Sequence, residues 1–98
     1  MSYLTPEEIE SAFSEILLLP DNWDSYGARS PRPSVVQAMR EHLQERSANV
    51  VWITATGDEG IAVRYDWGSH RITAVFDADC EGAESITEDG VTLTRKIP

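Results

Sequence analysis

Apolar residues recur every three or four positions up to about residue 46 and every second position after it, so the chain reads as a helical part followed by a strand part. Thr5-Pro6-Glu7-Glu8 carries an N-cap, a proline at the first helical position and a glutamate at N3 that closes a capping box. Ile9, Ala12, Phe13, Ile16 and Leu17 then fall on one helical face, and Pro20 ends the helix. Residues 20–33 are broken by Pro20, Gly27, Pro31 and Pro33 and read as a loop. A second helix is expected from Pro33 to about Arg46, with Val35, Val36, Met39 and Leu43 as its buried stripe. Two short helices with narrow stripes need a sheet to cover them. Strands are expected at Val50 to Ala55, Ile61 to Asp66, Arg71 to Phe76, Ser85 to Thr87 and Val91 to Thr94. Gly57-Asp58-Glu59-Gly60, Gly68-Ser69 and Glu88-Asp89-Gly90 supply turns, and the Asp-Gly pair is consistent with a type I′ hairpin. The pattern predicts one α+β domain over residues 1–98, ααβββββ in order. Both helices should pack on one face of a four- to five-stranded antiparallel meander.

Composition narrows the function classes. Ninety-eight residues leave no room for a second core. The single cysteine, Cys80, can form no internal disulfide, and no Cys/His spacing suggests zinc. The N-terminal residues lack a basic region, and Ile16 to Leu19 is too short an apolar run for a signal peptide or a membrane span. A cytoplasmic protein without membrane attachment is the expectation. Seventeen acids against eight lysines and arginines give a net charge of −9. Glu7, Glu8, Glu10, Glu15, Asp21 and Asp24 fall before the first base, and the second helix is locally basic. Asp77, Asp79, Glu81, Glu84, Glu88 and Asp89 then follow with no base among them. Direct nucleic-acid binding is disfavoured, because phosphate affinity needs a basic footprint.

Residue patterns that carry chemistry are sparse. Asp77 to Glu88 has acids at positions 1, 3 and 5, glycine at 6 and glutamate at 12 of a calcium-loop spacing. Glu84 stands where an apolar residue should pin such a loop, and strands flank it, so a solvated acidic turn without metal is the reading taken. His42 and His70 read as surface histidines without a triad or ligand partner. No phosphate-binding glycine loop is present. The chain is therefore expected to be no enzyme and to need no cofactor.

The most distinctive segment is Leu19 to Ala28. Its Leu-Pro and Asn-Trp-Asp-x-Tyr-Gly-Ala pattern, the proline-started helix and the strand opening at Gly60-Ile61 resemble a scattered group of small bacterial and mobile-element proteins. The likeness covers roughly residues 13–77, rests on Trp23, Asp24, Tyr26, Gly27 and Gly60-Ile61, and brings no functional residue with it. The residues themselves predict a structural clamp. Trp23 and Tyr26 would plug the gap between helices and sheet, Asp24 would accept turn N–H groups, and Gly27 would supply a positive φ.

These observations point to a non-catalytic acidic binding protein. The acids at 77, 79, 81, 84, 88 and 89 are the expected contact surface for a protein partner with a basic face. Small inhibitors of nucleic-acid-binding defence effectors, anti-CRISPR proteins among them, are similar in being short, acidic and free of catalytic motifs. An antitoxin-like or immunity-like partner of a basic effector fits the same composition, as does a small acidic domain whose charge serves no recognition. A monomer or a homodimer is expected, since an unpaired edge strand allows either.

Overall fold

The computed structural model of the chain describes residues 3–23, 25–88 and 90–97. Helix α1 (Pro6–Leu17) and helix α2 (Pro33–Arg46) precede strands β1 (Asn49–Ala55), β2 (Ile61–Trp67), β3 (His70–Phe76), β4 (Gly82–Glu88) and β5 (Val91–Ile97). The strands pair antiparallel in sequence order, and the helices lie against β1, β2 and β3. The α+β meander anticipated from the pattern is the observed fold. Among the described residues, no helix is long and apolar enough to cross a membrane.

The helix starts follow from local chemistry. Thr5 Oγ1 accepts the Glu8 N–H at 3.1 Å and Glu8 Oε1 accepts the Thr5 N–H at 3.0 Å, which closes the capping box. The turn of chain at Leu18 already stops α1, two residues ahead of Pro20. Helix α2 has proline in its first turn and ends on Ser47 in the left-handed conformation.

Alternation places Ile61, Val63 and Tyr65 of β2 with Ile72, Ala74 and Phe76 of β3 on the helix-facing side. Phe13 and Ile16 of α1 and Val35, Val36, Met39 and Leu43 of α2 complete the core. Among the described residues no helix packs on the opposite, bare face of the sheet, where Trp52, Arg64, Thr73, Ser85 and Thr94 form one row across all five strands.

Strand β4 begins at Gly82, three residues earlier than its β-branched positions suggest. A glycine inside a strand reads as a turn, yet here the Phe76 ring covers it. A Cβ at position 82 would lie 2.7 Å from that ring. Gly60 is held by a different constraint. A Cβ there would lie 2.6 Å from the Phe76 carbonyl oxygen, so no other residue fits between β2 and β3 without moving backbone.

Candidate partner-binding surface

The earlier start of β4 changes the acidic run. Its alternation turns Glu84 towards the helices, where it is 1% exposed. Glu84 is therefore no surface contact residue. It pairs Ala74 on β3 and Arg95 on β5, and Arg95 Nε donates to its Oε1 at 2.5 Å. Arg46, from the last turn of α2, lies 3.0 Å from Oε2 and stacks over Trp67 at 4.4 Å. The Tyr65 hydroxyl donates to Oε2 at 3.3 Å and lies 3.0 Å from His42 Nε2.

Burying an isolated carboxylate is expensive, so the two guanidiniums and the phenol are what allow Glu84 to sit there. Burial alone would raise its carboxyl, but the bond from Arg95 and the charge of Arg46 outweigh burial and hold it below the usual glutamate range. Burial pushes the Tyr65 phenol up to about 12, which keeps it a donor. His42 is likewise no surface histidine. It is 8% exposed, edge-on to Phe76 and Tyr65, and burial together with Arg46 lowers its pKa. This polar core ties α2 to β2, β4 and β5. A signal existed for half of it, since His42 and Arg46 are four apart on one helix face. Glu84 and Arg95 fell just outside the expected strands, one before Ser85 and the other after Thr94, whereas β4 begins at Gly82 and β5 runs to Ile97.

The remaining acids of the run separate. Asp77, Asp79 and Glu81 form the turn between β3 and β4, whereas β4 carries the Glu88 backbone to the other end of the sheet, roughly 20 Å away. The calcium-loop spacing therefore does not close into a loop. Asp77 Oδ1 accepts the N–H groups of Asp79 and Glu81 at 2.9 and 3.0 Å, so this carboxylate shapes the turn. Asp79 and Glu81 are exposed and carry no ion pair among the described residues. Asp89 and the Glu88 side chain, both expected at the contact surface, lie outside the described residues.

The clamp segment is also divided. Trp23 is half-buried beside Ile16, Leu19 and Ile53, and its Nε1 donates to the Arg29 carbonyl at 3.4 Å. Tyr26 does not plug the helix–sheet gap, because its side of the loop faces solvent and it is 92% exposed. Asp24 lies outside the described residues. Asn22 ties this loop instead, its Oδ1 accepting the Gly27 N–H at 2.7 Å and its own N–H donating to Ala28. Gly27 has the expected positive φ, 84°.

Basic side chains are largely committed elsewhere. Arg29 and Arg32 both hold Glu59, Arg40 grips Glu10 with two bonds, Arg46 and Arg95 hold Glu84, and Arg71 holds Asp66. Among the described residues, six of the eight bases thus face an acid. Three shallow clefts of about 250, 210 and 200 Å³ fall below the usual 300–1,000 Å³ of ligand pockets. No group of three or more metal-binding side chains occurs among the described residues. Compared with known proteins, the chain matches no family model, no curated protein and no solved structure.

Proposed function

We propose that this protein acts by binding rather than by catalysis, and that the β3–β4 turn meets a basic surface on a protein partner. The observation that carries the reading is a turn held in shape by Asp77 that presents Asp79 and Glu81 without an ion pair among the described residues, on a chain whose bases mostly face its own acids. A preformed acidic turn loses little entropy on docking, and its charge steers encounter with a basic face. Such faces commonly serve nucleic acid, so the partner class is a nucleic-acid-binding effector, and the binder competes with its nucleic acid. Inhibition of a defence effector is the narrower form of this reading, supported by the chain's small size and its acidity.

Whole-surface imitation of a duplex is not the means. Nine net charges over 6078 Å² leave roughly 680 Å² for each, several-fold sparser than the order of 100 Å² per charge on DNA. Recognition is local.

The test is the double variant Asp79→Lys/Glu81→Lys, which spares the turn-forming Asp77. Immobilised wild-type protein should retain a basic nucleic-acid-binding protein from bacterial lysate and release it as salt rises to about 0.5 M. The double variant should retain none of it at an unchanged melting temperature. Equal retention by both proteins would reject the turn as the contact.

A further inference from the structure

The two edges of the sheet are not equivalent. At β1 the register slips between Val50 and Trp52, and Leu4 donates its N–H to the Val50 carbonyl at 2.8 Å, so the outer edge is kinked and partly covered. Strand β5 has neither protection. Its register with β4 is unbroken from Gly82↔Ile97 to Glu88↔Val91, and among the described residues no backbone bond from outside the sheet reaches residues 91–97. The helices contact β1, β2 and β3 but not β5. Val91 and Leu93 therefore stand on the helix-facing side with no helix above them among the described residues, 60% and 67% exposed.

The strand's own sequence indicates what covers it. The two-residue link after Glu88 makes Glu88 and Val91 a doubly bonded pair, so odd-numbered residues of β5 spend their N–H and C=O groups on β4. Thr92, Thr94 and Lys96 turn theirs outward. An antiparallel copy related by a two-fold axis at Thr94 pairs all seven residues and satisfies about six outward hydrogen bonds. Thr92 then faces the second copy's Lys96, Val91 faces its Ile97, and Leu93 lies against the stem of its Arg95. Shifting the axis to Arg95 or to Leu93 would leave two residues at one end of the strand unpaired. In the Thr94 register no like charges meet, because Glu84 already neutralises Arg95 at 2.5 Å and the two Lys96 side chains lie about 13 Å apart, beyond a Debye length.

We infer that β5 is the interface for a second copy of this chain, joining two five-stranded sheets edge to edge about Thr94. The Thr94 side chain lies on the bare face, 3.3 Å from Ser85 Oγ, and nothing in the core depends on it. Sedimentation equilibrium of the full chain at roughly 1 to several hundred micromolar should show mass rising towards twice 10.9 kDa. Thr94→Lys and Thr94→Glu should each sediment as monomers with the wild-type circular dichroism spectrum. Mixed in equal amounts, they should recover the dimer, because opposite charges then meet on the axis. A wild-type protein that stays monomeric at the highest concentration, or a Thr94→Lys protein that stays dimeric, overturns the inference.

Discussion

A carboxylate buried between two guanidiniums costs less to keep than to half-remove. Glu84 has a fully buried side chain, Arg46 is 17% exposed and Arg95 is 57% exposed. Replacing Glu84 with alanine strands the Arg46 charge above the core, while Arg95 can swing into water. Breaking a buried pair costs about 3–5 kcal/mol, and the freedom of Arg95 places this case near about 3. Glu84→Ala should therefore lower the melting temperature by on the order of 15 °C for a domain of this size. Removing all the charges together leaves none uncompensated, so Glu84→Leu/Arg46→Met/Arg95→Met should unfold within about 1 kcal/mol of wild type. Urea titration of the two proteins decides the matter, and a single variant as stable as wild type would show that the ion cluster is energetically idle.

Among the elements, β2 and β3 set the tolerances. Their junction at Gly60 brings the Phe76 carbonyl to within 2.6 Å of where a methyl would sit. Gly60→Ala should cost roughly 1–3 kcal/mol, the range for overpacking, because backbone must yield where no flexible side chain can. Thermal unfolding measures it. The sequence marked Gly60-Ile61 as a strand start but gave no sign of this contact, since Phe76 is sixteen residues away and meets Gly60 only through pairing in the sheet. The capping box of α1 was legible for the opposite reason, as all its partners lie within four residues. Trp23 and Tyr26 show the same divide. Both are amphipathic aromatics in one loop, and only the tertiary course of that loop half-buries Trp23 at the cleft it shares with Ile53 and leaves Tyr26 in solvent.

For the molecule as a whole, the polar core makes folding sensitive to acid. His42 has its pKa lowered below the ordinary 6.5, so the unfolded chain takes up a proton that the folded chain resists. Its contribution is complete above pH 6.5 and is lost as pH falls through the folded value. Glu84, depressed below 4.5, adds a second loss at lower pH. Melting temperature should decline from pH 6.5 downward and more steeply below 4.5. A His42→Gln protein should lack the upper slope and keep the lower one. An upper slope that survives in that variant would assign it to another group.

What the chain determined by itself was whatever depends on neighbours in sequence. Helix starts, turn residues, the change from a period of 3.6 to a period of 2, and hence the ααβββββ order, all rest on contacts a few residues long. Tertiary structure alone decided where charge goes. One residue of strand phase sends Glu84 inward and leaves Ser85 on the bare face, and pairing with β5 brings Arg95 to meet it. A run of six acids thereby became a buried ion cluster at Glu84 and an exposed turn at Asp79 and Glu81, with the Glu88 backbone carried to the far end of the sheet. The sign of a side chain is written in the sequence. Whether water or a guanidinium neutralises it depends on which strand lies beside it.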